Sequence, residues 1–292
     1  MIAEKIYIAI PAVGEYRKWA EITAHSARRG SSLPVEVHFL DWSNVDKNRI
    51  DALGDWHGSA ITWSRLFLPE ILPNGIEWVI SCDADVLFCG DIARLWALRD
   101  NRYIVMASRD SQPPWRKLHP DVEDWLHKHP EVESGEILCC GLALINLKRW
   151  RNEGWQKKVD AFVSRYRDVP FADQLPLNIV FNSCKTALPK EWGCFSGDRN
   201  KNVDYSCDCA IHYVSDMPWK RCGITRLMSD AVVLWRKEAN MPCGGWRRWL
   251  WLALRASWPL WSWNRKMAWH FRTALRGRFY MQSLGWMWSA TA

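Results

Sequence analysis

Two aspartates that flank one alanine, Asp83 and Asp85, form the pattern with the clearest chemical use in this chain. They follow an apolar stretch, Trp78 to Cys82, with the composition of a buried strand. In extended backbone, residues i and i+2 project to the same side, so both carboxylates face one point. Two carboxylates so placed hold a divalent cation, and that cation neutralises a diphosphate. An isolated D-x-D is also common among solvated loop acids and helix caps, so its context decides.

A histidine far downstream fits the same chemistry. His212 lies near the end of a second short apolar stretch, Ala210 to Val214. A neutral imidazole there would complete a metal site of two oxygens and one nitrogen. Taken alone, such a histidine is more often structural. Together with the order of the flanking segments, these residues favour a metal site made of Asp83, Asp85 and His212.

The opening of the chain predicts the sheet that must position these groups. Ile6 to Ile10 has the composition of a buried strand, Tyr16 to Arg29 has helical periodicity, and Val35, Val37 and Phe39 alternate with polar residues. This βαβ order predicts parallel pairing with a right-handed crossover. In open α/β sheets, ligands bind at the carboxyl ends of strands, which is where Asp83 and Asp85 lie.

Further elements follow from the same periodicities. We expect helices over residues 64–72, 154–166 and 174–181, and strands over residues 103–108, 141–146 and 210–214. Asp91 is expected to cap a helix over residues 92–98. The alternation of strands and helices predicts the α/β class.

Length and composition favour one main globular core. The 292 residues include 10 cysteines without repeated C-x-x-C spacing, so we expect reduced thiols rather than a zinc site. The first residues lack the pattern of a secretory signal, which favours a cytoplasmic location. No Asp or Glu occurs after Glu238, while Arg continues to Arg278. The character of the sequence changes from Met241 to Gly245, and we place the domain boundary there, with domains over residues 1–240 and 241–292.

At this point the chain resembles glycosyltransferase family 8, a group with the GT-A fold that includes bacterial lipopolysaccharide galactosyl- and glucosyltransferases and glycogenin. The likeness covers most of residues 6–220, and its pieces come in family order. They are Ile61 to Glu70, Asp83 to Leu87 with Gly90-Asp91-Ile92, Gly141 to Trp150, Asp173-Gln174 with Leu177-Asn178, and His212-Tyr213 with Pro218-Trp219-Lys220. The resemblance implies a Rossmann-like mixed sheet flanked by helices.

The resemblance also implies a reaction. A hexose would pass from a nucleotide-sugar, such as a UDP-sugar, to a hydroxyl of a glycan or lipid-linked glycan, with retention of the anomeric configuration. Asp83, Asp85 and His212 would bind Mn²⁺, with Mg²⁺ as the alternative. The other donor contacts implied are His57, Arg65, Ala84 and Lys220, while Asp173 and Gln174 would line the sugar as catalytic residues.

Some positions leave alternatives open. Asp173 could instead cap the helix that begins at Gln174. Where members of the family commonly carry F-N-A-G or F-N-S-G, this chain has Leu138-Cys139-Cys140-Gly141. Ser215 and Met217 replace the usual Gly and Lys after His212, and Lys220 is the candidate to restore that charge. The alternative is therefore that the protein is a non-catalytic relative of the same fold, which binds a nucleotide or a glycan.

The end of the chain is basic and rich in tryptophan. Between Leu260 and Arg276, Trp263, Met267, Phe271 and Ala274 fall on one face of a helix, while Arg265, Arg272 and Arg276 fall on the opposite face. Such an amphipathic helix suits the surface of an anionic membrane, and the alternative is a helical appendage packed on the catalytic domain. We expect peripheral contact with the inner face of the cytoplasmic membrane. Nucleic acid is not expected as a partner, although basic aromatic surfaces also bind single strands.

Overall fold

A computed structural model describes residues 4–42, 45–51, 53, 60–110, 118–195, 207–214, 218–219 and 230–241. The chain divides into two units, residues 1–217 and 218–292. The predicted boundary after residue 240 stays a prediction, because almost all of the second domain lies outside the described residues.

The first strands form the predicted βαβ unit. β1 (Ile6–Pro11) pairs in parallel with β2 (Val35–Leu40), and α1 (Tyr16–Gly30) connects the two strands. β3 (Trp78–Cys82) lies on the other side of β1, also parallel to it. The parallel core of the sheet is therefore as the periodicity predicts.

Three later strands make the sheet mixed. β6 (Leu138–Asn146) runs antiparallel to β3, and β5 (Val105–Arg109) runs antiparallel to β6. β7 (Lys185–Ala187) is parallel to β5, which completes the order β2-β1-β3-β6-β5-β7 among the described strands. The predicted mixed α/β sheet is confirmed.

A second, smaller sheet was not predicted. It consists of β4 (Val86–Cys89), β8 (Cys194–Phe195) and β9 (Cys209–His212), in the order β4-β9-β8. β4 and β9 are antiparallel and are separated by more than 100 residues of sequence, so no local pattern indicates that they pair.

Short helices connect the strands. The predicted helix over residues 64–72 is instead a 3-10 helix, Ala60–Phe67, followed by α3 (Leu68–Ile71), and Pro69 lies in the first turn of α3 because it has no N–H to donate within a helix. The described helices are otherwise α2 (Lys47–Asp51), α4 (Ala93–Trp96), α5 (Pro120–Lys128), α6 (Leu147–Asn152), α7 (Trp155–Arg165), α8 (Gln174–Val180) and α9 (Asp230–Glu238), with 3-10 turns at Asn182–Cys184 and Lys190–Gly193. Asp91 accepts a hydrogen bond from the amide of Ala93, the first residue of α4, at 2.9 Å. The N-cap position of α4 is Ile92 rather than the predicted Asp91, and the helix is shorter than expected.

Apolar side chains fill both faces of the main sheet. One face packs against α6, α7 and α8, where Trp150, Trp155 and Phe181 form a buried aromatic group. The other face packs against alanines of α1, Ala20 and Ala24, and against β4. Much of the tryptophan of the first unit is thus core, and large aromatic side chains contribute strongly to burial.

In the second unit, the described residues consist mainly of α9. Trp235 is buried, and its ring lies 5.5 Å from that of Trp219. No helix among the described residues is long and apolar enough to cross a membrane.

Candidate active site

The turn between β3 and β4 carries the two aspartates. Asp83 follows directly after β3, and the amide of Val86 donates to the carbonyl of Asp83 at 3.3 Å, which closes the turn. The buried hydroxyl of Thr23, on α1, donates to the carbonyl of Ala84 at 2.9 Å. The helix α1 therefore holds the turn between β3 and β4.

Strand pairing brings His212 to the same turn. His212 is the last residue of β9 and lies opposite Val86 in the antiparallel pair. Its Nε2 lies 3.3 Å from Oδ2 of Asp83 and 3.3 Å from Oδ1 of Asp85. Ligand atoms of the three side chains all lie within 4.8 Å of one another. The three residues predicted as metal ligands are thus brought together.

Arg65 links this group to Asp173. The Arg65 side chain comes from the 3-10 helix before α3 and is almost fully buried. Its guanidinium donates to Asp83 through Nη2, to Asp173 through Nη1 at 2.8 Å, and to Ser81 through Nε at 3.2 Å. Because the guanidinium is a rigid planar fork, its two Nη donors determine the relative position of the Asp83 and Asp173 carboxylates.

Asp173 does not cap α8 with its side chain. It occupies the N-terminal position of that helix, but its carboxylate makes no capping hydrogen bond and pairs with Arg65 instead. Phe171 and Ala172, just before it, have φ values of 61° and 45°, which residues other than glycine rarely adopt. Backbone of this kind clusters at functional sites, where the surrounding structure maintains it.

Gln174 faces the strand that borders the site. Its Oε1 accepts a hydrogen bond from the amide of Cys140 at 3.3 Å. One turn later, Asn178 holds Leu138 through its amide group: Oδ1 accepts from the Leu138 amide at 2.7 Å, and Nδ2 donates to the Leu138 carbonyl at 2.8 Å. The start of α8 and the start of β6 are therefore joined side by side.

Comparison with known proteins identifies the family. Residues 30–223 match the model of glycosyl transferase family 8, which is more than half of the 292 residues. The chain belongs to glycosyl transferase family 8. The resemblance noted from the sequence is confirmed.

Two curated relatives share about a quarter of their aligned residues with this chain. General stress protein A of Bacillus subtilis (strain 168) is 26% identical over 163 residues, which are 54% of this chain and 53% of that protein. The lipopolysaccharide 1,2-glucosyltransferase of Escherichia coli (strain K12) is 25% identical over 178 residues, 57% of this chain and 51% of that protein. The chain spans about half the length of these curated relatives.

Solved structures share the fold. The galactosyltransferase LgtC, in complex with donor and acceptor sugar analogues, superposes with a TM-score of 0.63 at 19% identity and covers 80% of this chain and 95% of its own. The glycosyltransferase GlyE of Streptococcus pneumoniae TIGR4 has a TM-score of 0.58 at 17% identity, over 86% of this chain and 64% of its own. The GT-A fold expected for a family 8 protein is confirmed.

The charges of this family 8 site are strongly coupled. Burial by itself would lower the pKa of Arg65, but the negative charges of Asp173 and Asp83 outweigh burial and raise that pKa above its usual value. Burial also works against the Asp83 carboxylate, yet Arg65 and His212 hold the pKa of Asp83 well below its usual range. Burial disfavours a charged His212, whereas Asp85 and Asp83 raise its pKa well above its usual value. The two carboxylates of the turn therefore favour positive charge beside them.

Asp173 behaves differently from Asp83. Burial raises the pKa of Asp173 to about 6, against the opposing charge of Arg65 and with the help of Asp83. Two carboxylates that share one arginine thus have pKa values shifted in opposite directions, an arrangement common at catalytic sites.

Two of the predicted donor contacts, His57 and Lys220, lie outside the described residues. Ala84 is buried in the turn between the two aspartates, and its contact with a donor stays a prediction.

Sequence reasoning missed several residues that position the site. The sequence patterns predicted no role for Thr23, Ser81 or Cys139. Gly141 lies so near His212 that a Cβ built on it would be 2.0 Å from Cε1 of the imidazole. The only local signals for these residues were a small residue in a strand and polar side chains at buried positions.

Proposed function

We propose that this family 8 protein is a retaining glycosyltransferase, which moves a hexose from a UDP-sugar to a hydroxyl of a glycan or lipid-linked glycan. Membership of the family supports sugar transfer as the reaction class. The observation that carries the proposal is the convergence of Asp83, Asp85 and His212 beside the buried pair of Arg65 and Asp173.

The three convergent side chains fit a divalent metal. Two carboxylate oxygens and one imidazole nitrogen lie close enough to share one ion. Oxygen donors suit Mg²⁺ and Mn²⁺ alike, whereas a nitrogen donor favours Mn²⁺ over Mg²⁺. We therefore propose Mn²⁺, with Mg²⁺ as a weaker substitute. When bound, the ion supplies positive charge that stabilises the diphosphate of the departing nucleotide.

Asp173 and Arg65 serve the sugar side of the site. Asp173 lies at the start of α8 and is held by Arg65, so its carboxylate stays in one place as charge changes around it. Such a carboxylate stabilises the positive charge that develops at the anomeric carbon, or accepts hydrogen bonds from sugar hydroxyls. Gln174 adds an amide beside it.

In the proposed transfer one bond forms and one bond breaks. The acceptor oxygen forms a bond to the anomeric carbon, and the bond from that carbon to the diphosphate oxygen breaks. The departing phosphate oxygen takes the acceptor proton. Attack on the face from which the phosphate leaves retains the configuration.

A lipid-linked acceptor fits two further features. One relative carries the name lipopolysaccharide 1,2-glucosyltransferase, and the basic, tryptophan-rich end of this chain has the composition of a membrane-surface segment. We propose that the protein acts at the inner face of the cytoplasmic membrane.

Calorimetric titration of UDP into the protein tests the donor and metal sites together. We expect binding with Mn²⁺ present and none with chelator, and Asp85→Asn should reduce UDP binding in the presence of Mn²⁺ to the level seen with chelator. Equal UDP binding with and without metal would contradict the metal site.

Turnover is tested with a panel of UDP-hexoses and lipopolysaccharide fragments. A product linked in the α configuration from an α-linked donor, established by NMR, is the result expected of a retaining enzyme. Metal-dependent UDP binding without transfer or donor hydrolysis would favour the non-catalytic alternative.

A further inference from the structure

The two nitrogens of His212 face different surroundings. Nε2 points to the carboxylates of Asp83 and Asp85, at 3.3 Å from each. Nδ1 lies 3.7 Å from the sulfur of Cys139, within hydrogen-bonding range for sulfur. A neutral imidazole carries one N–H and one lone pair, so the partner of one nitrogen determines what the other nitrogen can bind.

The structure places Cys139 firmly against the ring. Cys139 is buried near the start of β6, where the pairing of β5 and β6 is irregular between Ala107 and Ser108, so that Ser108 pairs with Cys139. Two residues later, Gly141 leaves space that the imidazole of His212 occupies. The ring of Phe195, on β8, lies 5.7 Å from the imidazole at an angle of 35°. The imidazole is therefore confined, and rotation of the ring is restricted.

We propose that Cys139 is a positioning residue of the metal centre: its sulfur accepts the N–H of Nδ1 and thereby leaves the lone pair of Nε2 for the metal. This inference rests on the proposed function, because it assumes that His212 is a metal ligand. Histidine ligands usually donate their second ring N–H to a nearby acceptor, and removal of that acceptor lowers metal affinity by about 10- to 100-fold. Here the acceptor is a thiol sulfur, which is a weak acceptor but is held at the required place.

Three variants of the full chain test this role. Cys139→Ala removes the acceptor, Cys139→Ser keeps an acceptor in the same place, and Cys184→Ala removes a thiol that is equally buried but makes no contact with His212. The readout is Mn²⁺ affinity, measured by the electron paramagnetic resonance signal of unbound Mn²⁺. If Cys139→Ala fails to fold, Cys139→Val takes its place, since valine fills a similar volume without an acceptor.

We expect Mn²⁺ affinity to fall about 10-fold in Cys139→Ala and to recover to within about threefold in Cys139→Ser, in line with the loss of an outer hydrogen bond to a ligand. Cys184→Ala should bind Mn²⁺ as the unaltered protein does. In transfer assays, the Mn²⁺ concentration for half-maximal rate should rise in Cys139→Ala while KM for the acceptor stays unchanged.

Other results would overturn the inference. Unchanged affinity in Cys139→Ala, or equal losses in the alanine and serine variants, would show that the sulfur does not act as an acceptor. If Asp85→Asn abolishes Mn²⁺ binding while Cys139→Ala keeps it, the proposed metal site stands and only the role of Cys139 fails. If the unaltered protein binds no Mn²⁺, both fail.

Discussion

Arg65 connects the two halves of the candidate site. Its side chain is almost fully buried and pairs with Asp83, beside the proposed metal, and with Asp173, beside the proposed sugar site. Charges removed from water in this way need close partners, because a buried charge without one costs several kcal/mol. The buried site can therefore hold the charges of Arg65, Asp83 and Asp173 because these side chains pair with one another.

The raised pKa of Asp173 leads to a prediction about pH. Its pKa is about 6 in the folded protein and about 3.9 in an unfolded chain. Between those values the folded protein binds more protons, so the contribution of this carboxyl to the free energy of unfolding falls as pH rises from about 4 to about 6. Asp173→Asn removes that contribution. Urea unfolding at pH 4.5, 5.5 and 7 should show that the stability of the unaltered protein relative to Asp173→Asn decreases with pH. An increase with pH would contradict the assignment.

The elements around the site act through backbone contacts. α1 holds the turn between β3 and β4 through Thr23, and the amide of Asp83 donates to the carbonyl of Gly141 on β6 at 2.9 Å. The amide of Tyr213, which follows β9, donates to the carbonyl of Asp85 at 3.1 Å. The turn that carries the aspartates is thus held by contacts from α1, from β6 and from the residue that follows β9.

Thr23→Val tests the support from α1. Valine fills the same space, but it leaves the buried carbonyl of Ala84 without the hydroxyl donor, which should lower the free energy of unfolding by about 1 kcal/mol. We also expect weaker Mn²⁺ binding, because the turn that carries both aspartates loses an anchor. Ser26→Ala is the matched control: that hydroxyl contacts the amide of Phe88 in β4, so a similar loss of stability should come without a comparable loss of Mn²⁺ affinity. Equal Mn²⁺ affinity in Thr23→Val and the unaltered protein would contradict the role.

Arg151 stabilises the turn between α3 and β3. From α6, its guanidinium donates to the carbonyls of Pro69, Leu72, Pro73, Asn74 and Ile76, at 2.7 to 3.3 Å. Hydrogen bonds from a charged donor contribute about 1.5–3 kcal/mol, so Arg151→Ala should lower the free energy of unfolding by at least about 2 kcal/mol.

Arg151→Lys should recover only part of that loss, since a lysine is a point charge and not a planar fork. Denaturant unfolding measures both variants. Arg102→Ala serves as control, because Arg102 is highly exposed and pairs with Asp100 at the surface, where ion pairs contribute about 0–1 kcal/mol. A loss in Arg151→Ala no larger than in Arg102→Ala would contradict the prediction.

Charge is distributed unevenly over the whole chain. The net charge is +7, and no acidic residue follows Glu238. The predicted amphipathic helix of residues 260–276 falls outside the described residues, so its role rests on the sequence pattern. An acceptor linked to lipid would be reached most directly by a protein bound at the membrane surface.

Reversal of Arg265, Arg272 and Arg276 to glutamate tests membrane contact in the full chain. Each basic residue near an anionic surface contributes about 1 kcal/mol, so binding to vesicles rich in phosphatidylglycerol should weaken by at least about 100-fold. Sedimentation with these vesicles and with phosphatidylcholine vesicles measures the effect, which should shrink at high salt. The matched control reverses three exposed charges of the first unit, Arg102, Arg109 and Lys148. Equal vesicle binding by the two triple variants, or preferential binding to a single-stranded oligonucleotide, would contradict membrane contact.

Local patterns in the amino-acid sequence were sufficient for the α/β class, the parallel opening of the sheet and the place of Asp83 and Asp85 after a buried strand. They also indicated His212 as a candidate ligand, although the family resemblance contributed as much to this prediction as the pattern did. Periodicity reports which side of an element is buried, and turn residues report where it ends, so such features can be derived residue by residue. The 3-10 helix before α3 was missed because 3.6-residue and 3-residue periods are hard to distinguish over one or two turns.

The contacts that make the site depend on pairings between distant parts of the chain. β4 packs against α1, and β9 packs against β4 and the 3-10 turn Lys190–Gly193. The pairing of β4 with β9 is what brings His212 to the aspartates. Arg65 reaches Asp173 across 108 residues of sequence. The contact of Cys139 with Nδ1 of His212 depends on the irregular pairing of β6 and on the missing side chain at Gly141. Each of these contacts results from close packing of the complete core, which no single segment encodes.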